Sequence, residues 1–171
     1  MAIDLTLKSV GVTNREASPS VRNNPGEGGS ADKKWVKSHL ASVTASLTTT
    51  SIIRMVEVPA HCHVTDLYLK SAAQGAGAFD IGVYRTNADG GAVVDQDYFA
   101  SAVDCASAVV RTDVLDESTT NTIAKQAQPL WQALGMTEPA KGVMLDICLV
   151  VKTTDVTTGT GAISLEAGYV M

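Results

Sequence analysis

Apolar and polar side chains alternate along much of the chain after residue 35, and a period of two residues is typical of β-strands. Turn residues separate the alternating runs: threonines follow the first, and Pro59 ends the second. Val64, Leu67 and Leu69 are the predicted core positions of the third. The predicted strands are residues 36–47, 51–58, 64–71, 79–84, 109–114, 143–153 and 162–170.

Residues 77–106 combine a strand pattern with a helix pattern. The alternating run at residues 79–84 predicts a strand with one buried face, and residues 86–91 are turn-forming. Asp95 then precedes apolar residues at roughly helical spacing, which predicts a short helix with Asp95 as its N-cap. The apolar positions of this predicted helix are Tyr98, Phe99, Ala102, Val103 and Cys105.

The second half of the chain adds two short helical turns and two strands. Residues 122–128 and 130–134 predict the turns, which Pro129 separates and Gly135 ends. Residues 143–153 are almost continuously apolar, as in a central strand covered on both faces. The whole pattern predicts a mainly β fold, an antiparallel β-sandwich or jelly roll with one or two short helices.

The first 35 residues have a different composition and predict an extended N-terminal arm ahead of a body at residues 36–171. Residues 14–34 hold few large apolar side chains, so they cannot offset their own ordering entropy. Residues 3–10 alternate like a strand that could pair with a neighbouring subunit's sheet edge; the alternative is a strand folded back on its own domain. The predicted partner-binding residues are Ile3, Leu5, Leu7, Val10, Arg15, Val21, Arg22 and Trp35.

Charge and hydropathy narrow the classes of direct partner. The arm has a net charge of +1, whereas the body, with 8 basic and 14 acidic residues, has a net charge of −6. A surface of that sign repels phosphate backbones. No apolar run approaches the roughly 18 to 20 residues of a membrane helix, and the N-terminus does not resemble a signal peptide. We therefore expect a protein made in a cytoplasm that binds neither nucleic acid nor a membrane directly.

Two clusters contain residue types that bind metals, and both have simpler interpretations. His61 and His63 could share an ion, but no further ligand lies at zinc spacing, so polar residues in a loop explain them as well. A second cluster suggests calcium but lacks the ligand order of an EF-hand, and turn and cap roles explain it more simply. We predict no metal and no other cofactor. The carboxylates of the second cluster are Asp80, Asp89, Asp95 and Asp97.

The sequence lacks the arrangements on which common catalytic sites depend, and we expect no enzymatic activity. It contains no Gly-x-Ser-x-Gly elbow and no phosphate-binding loop. Cys62, Cys105 and Cys148 are widely spaced, which predicts reduced, partly buried thiols. Trp131 could stack on a sugar or a base, but apolar neighbours at helical spacing favour a core role. Trp35 lies where the arm meets the body and is predicted to anchor the arm.

Several stretches of the body resemble small virion structural proteins of tailed double-stranded DNA bacteriophages. The resemblance covers about residues 36–171 and does not extend to the arm. The stretches that carry it are residues 79–86, 89–102, 129–135 and 161–165, with Tyr169.

This resemblance implies a structural role in the virion. Some similar phage proteins are head decoration or cement proteins with a jelly-roll fold, which bind the outer capsid lattice and brace it against packaged DNA. It thus implies the major capsid protein as a partner, self-association as a dimer or trimer, and a location on the outer capsid surface. The alternatives are a tail or other virion accessory protein and a carbohydrate-binding module.

Overall fold

The computed structural model describes residues 33–41, 47, 49, 51–75, 77–152 and 161–171. Strands dominate this part of the chain, and two single-turn helices, α1 (Ile123–Gln126) and α2 (Leu130–Ala133), lie between the sixth and seventh strands. None of the helices described is long and apolar enough to cross a membrane. The strands are β1 (Lys34–Leu40), β2 (Ile52–Pro59), β3 (His63–Ser71), β4 (Ala78–Arg85), β5 (Val93–Asp104), β6 (Val109–Asp113), β7 (Met144–Val151) and β8 (Ile163–Val170).

The strands form two four-stranded antiparallel sheets, ordered β1-β8-β3-β6 and β2-β7-β4-β5. Every pair of consecutive strands except β4 and β5 is divided between the two sheets. This arrangement is that of an eight-stranded jelly roll. The predicted fold class, a mainly β antiparallel sandwich with two short helices, is confirmed.

Both sheets contribute side chains to one apolar core. Leu67 and Leu69 of β3 and Leu165 of β8 enter it from one sheet, and Ile81 and Ile147 enter it from the other. The irregular spacing of the predicted core positions on β3 has a physical cause, since a register shift follows Val64.

Strand β7 is covered on both faces, as its continuous apolar sequence predicts. Its residues Leu145, Ile147 and Leu149 belong to the main core. Cys148 and Val150 point to the opposite face and form a second buried cluster with Tyr84 of β4.

The predicted helix after Asp95 is wrong, because residues 93–104 form the long strand β5. Ile81 of β4 pairs with Ala100, and Val83 pairs with Asp95, so residues 96–99 of β5 lie opposite Gly82 alone. Such a bulge interrupts the period of two and allows the neighbours Tyr98, Phe99 and Ala100 all to be buried. The apolar spacing that resembles a helix is therefore that of a bulged strand.

The burial of β4 and the bounds of β1 also differ from the sequence-based prediction. Strand β4 is buried on both faces rather than one, because the bulge of β5 covers its second face at Gly82. A Cβ atom at Gly82 would lie 2.1 Å from the Gln96 carbonyl oxygen, so only glycine fits there. The first predicted strand is also displaced: β1 begins at Lys34 and ends at Leu40, and it includes Trp35.

Candidate functional site

The acidic cluster predicted around residues 80–97 does not converge on one point. Asp80 is fully buried on β4 and pairs with Lys152, whereas Asp89 pairs with Arg85 at 2.7 Å in the β4–β5 turn. Asp95 accepts a hydrogen bond from the Asp97 backbone within β5, so its predicted role as a helix cap is replaced by a role inside a strand. No group of three or more His, Cys, Asp or Glu residues in the described ranges could hold a metal ion.

Asp80 of β4 links Gln96 in the β5 bulge, the two β5 residues after Ala100, and Lys152, which follows β7. Its Oδ1 accepts hydrogen bonds from the Ala102 backbone N–H at 2.9 Å and from Ser101 Oγ at 3.3 Å. Its Oδ2 lies 2.9 Å from Lys152 Nζ and accepts a hydrogen bond from Gln96 Nε2 at 3.2 Å. Four donors therefore satisfy the carboxylate, and this arrangement indicates a structural role.

His61 and His63 lie at the junction of β2 and β3. His61 Nε2 is 3.8 Å from Glu138 Oε1, and its ring centroid is 6.2 Å from that of Trp131. Trp131 is partly buried and packs against the main core, which agrees with its predicted role. An apolar cleft of about 410 Å³ beside His61 includes Pro59, Met144 and Met171 in its lining.

The three cysteines are free, as predicted, and they are fully rather than partly buried. Burial raises the pKa of Cys62 and Cys148 to about 12 and that of Cys105 to about 11. A thiolate is the reactive form of cysteine, so these thiols are poor nucleophiles near neutral pH.

A more organised set of side chains lies on the outer face of the β1-β8-β3-β6 sheet. The rings of Trp35 on β1 and Tyr68 on β3 stack, with centroids 6.4 Å apart and planes inclined by 17°. The Arg111 guanidinium of β6 lies 3.7 Å from the Tyr68 ring centroid. Glu166 of β8 reaches Arg111 at 3.6 Å and Lys37 of β1 at 3.7 Å. Side chains from all four strands thus form one connected surface, which we call the Trp35 face.

The Trp35 face includes one of the predicted partner-binding residues. Trp35 is 48% exposed. The other seven lie outside the described residues: Ile3, Leu5, Leu7, Val10, Arg15, Val21 and Arg22.

The sequence-based candidates do not include the other members of the Trp35 face, which are Lys37, Tyr68, Arg111 and Glu166. Tyr68 alternates with the core residues Leu67 and Leu69, and this pattern alone could have placed it on the outer face. Arg111 and Glu166 are distant in sequence, and only the strand order β8-β3-β6 brings them together.

One comparison with known proteins finds a similar fold, and none identifies a family. No protein-family model matches the chain, and no match was found among curated proteins. A solved structure described as "Cyanophage Pam1 capsid asymmetric unit" contains a similar chain, with a TM-score of 0.52 and 13% sequence identity. The match covers 91% of this chain and 96% of that chain. At this identity the likeness shows a shared fold.

Proposed function

We propose that this chain is a structural protein of a phage virion that binds the outer surface of the capsid and stabilises the head. The observation that carries the proposal is the fold likeness, which extends over nearly the full length of a chain from a phage capsid asymmetric unit. The major capsid protein is then the partner, and the outer surface of the virion is the location. Copies of the protein associate as a dimer or trimer on a symmetry axis of the shell.

The chemistry of the described residues supports a role in binding over a role in catalysis. The acidic side chains serve as local hydrogen-bond and ion-pair partners, and the thiols are buried. Binding to a repeating lattice needs no reactive group, because many modest contacts combine through a high effective concentration. The arm would add contacts with neighbouring subunits, at the entropic cost of ordering it on binding.

The carbohydrate-binding alternative is less well supported by the placement of the aromatic rings. Tyr84 and Tyr98 are 4% and 2% exposed, so they cannot join Trp131 in one open sugar-binding groove. Tyr98 also donates a hydrogen bond to Asn121 at 3.2 Å inside the body. A sugar platform would require rings whose faces are open to solvent.

The test is binding of the purified protein to capsids that lack it. The full chain is compared with a variant that lacks residues 1–32, a boundary that leaves β1 and Trp35 intact. We expect the full chain to bind the heads and to raise their resistance to heat, and the shortened chain to bind more weakly. Circular dichroism and thermal unfolding of the shortened chain check that its body remains folded.

Each result has a distinct meaning for the proposal. If the full chain does not bind heads, the decoration role is refuted. If the shortened chain binds as tightly and at the same place, the arm is not a tether. Immunogold labelling of intact virions separates the head from the tail, and labelling restricted to the tail would favour the accessory alternative.

A further inference from the structure

The Trp35 face has the composition of an energetically important protein interface. Residues that dominate binding energy in such interfaces are enriched in tryptophan, tyrosine and arginine. Trp35, Tyr68 and Arg111 form a stack of these three types, and Trp35 is about half exposed although large aromatic side chains usually lie inside. Stacking fixes the rings before a partner arrives, which lowers the entropic cost of binding.

An apolar groove on this sheet extends the Trp35 face. The groove has a volume of about 480 Å³, and small or apolar residues make up most of its lining. Val110 of β6, which lines it, is 78% exposed. Tyr68 and Lys70 are two residues apart on β3, as are Trp35 and Lys37 on β1, so each pair lies on one side of the sheet.

The charges around the groove define the chemistry of its partner. Two carboxylates lie on the Trp35 face beside the groove: Glu166 pairs with Arg111 and Lys37, and Asp66 accepts a hydrogen bond from the Tyr68 hydroxyl at 3.4 Å. Among the described residues that line the groove itself, Lys37 and Lys70 are the charged ones, and none is a carboxylate. The chain as a whole has a net charge of −5, so the groove departs in sign from the rest of the protein. Electrostatic complementarity then favours an acidic partner.

We propose that the Trp35 face and its groove dock on an acidic, apolar surface of the capsid protein and orient the body on the shell. The apolar part of that surface enters the groove beside Val110, its carboxylates meet Lys37 and Lys70, and it covers the exposed ring of Trp35. This inference rests on the proposed function, to which it adds the face that binds and the character of the surface that is bound.

The test uses the full chain and capsids that lack it. Two variants change the face, Lys70→Glu and Val110→Asp, and two controls introduce the same acidic residues in place of a lysine and an apolar residue exposed elsewhere, Lys141→Glu and Ile123→Asp. We expect each face variant to weaken binding on the order of tenfold or more, and the controls to bind like the natural sequence. Because all four positions are exposed, thermal unfolding should show the four variants equally folded.

Salt dependence and a Trp35→Ala variant complete the test. Added salt screens charge, so it should weaken binding of the natural sequence, and Lys70→Glu should reduce that dependence. Trp35→Ala should weaken capsid binding on the order of 30-fold.

Three results would overturn the inference. If the natural sequence does not bind capsids, the proposed function fails and the inference fails with it. If the natural sequence binds and the face variants bind as tightly as their controls, the proposed function stands and the Trp35 face is not the docking surface. If Trp35→Ala leaves capsid binding unchanged but abolishes binding to bacterial surface polysaccharide, the face is a sugar site instead.

Discussion

Replacement of Asp80 by asparagine tests whether the buried carboxylate holds the β5 bulge in place. Asn has nearly the same shape as Asp, so its oxygen can still accept the hydrogen bond from the Ala102 N–H. In the natural sequence, Asp80 Oδ2 faces the donors Gln96 Nε2 and Lys152 Nζ. The amide nitrogen of the asparagine would take the place of this oxygen. Three donor groups would then meet with no acceptor among them.

The size of the effect follows from the exposure of each partner. A hydrogen bond to a charged group contributes about 1.5–3 kcal/mol, but the Lys152 side chain is 37% exposed and its ion pair is screened by water. Gln96 can also rotate its amide and recover part of the loss. We therefore expect Asp80→Asn to lower the free energy of unfolding by about 2 kcal/mol, and Asp80→Ala by about 4 kcal/mol. Lys152→Met should cost no more than about 1 kcal/mol.

Urea unfolding followed by circular dichroism measures these differences. The reasoning is refuted if Asp80→Asn changes stability by less than about 0.5 kcal/mol, the usual range for a surface substitution. It is also refuted if Lys152→Met costs more than Asp80→Asn, since the exposed lysine would then be the main anchor of the bulge.

The pH dependence of the pair has a definite sign. The hydrogen bond to Asp80 raises the pKa of Lys152 from its usual 10.5. A group whose pKa is raised by folding contributes its full stability below the unfolded value and loses it as the pH rises through the folded value. The difference in stability between the natural sequence and Lys152→Met should therefore be constant between neutral pH and pH 10.5 and shrink as the pH rises further.

Three further predictions concern the bulge and the thiols. Gly82→Ala should destabilise the protein by about 3 kcal/mol or more, because its Cβ would lie 2.1 Å from the Gln96 carbonyl; thermal unfolding measures this. Ala102 has a φ of 55°, so Ala102→Gly should relieve strain and stabilise by about 0.5–1 kcal/mol in urea unfolding, a result that a neutral or negative change would contradict. The three cysteines should react with a thiol reagent at pH 8 only after the protein is denatured, and reaction in the native state would refute their burial.

Local sequence patterns predict the parts of the fold that depend on neighbouring residues. The alternation around Leu67 and Leu69 and the apolar run of β7 identify a core strand and a central strand without further information. The helical spacing after Asp95 is misleading because it depends on a bulge, and the bulge depends on Gly82 of another strand. The sequence of one segment does not show how the strand paired with it will distort it.

The Trp35 face is harder to predict for a related reason. Its contacts join β1, β8, β3 and β6, whose order in the sheet is set by the crossings of the jelly roll. Trp35 stands out in the sequence as a tryptophan at a change of composition, whereas Arg111 lies in the middle of a short strand and gives no such signal. Only the arrangement of the strands converts separate residues into a surface.

The edge strands β1, β5 and β6 differ in how well they could accept an added strand. Strand β5 is an edge with several register shifts, and β6 is a five-residue edge with a shift opposite Leu69 and Ser71. Such irregular edges disfavour the addition of another strand. Strand β1 pairs with β8 over its whole length without a shift, so it is the more regular edge of its sheet. If residues 3–10 of a neighbouring copy pair with an edge of this sheet, β1, which also carries Trp35, would accommodate them better than β6.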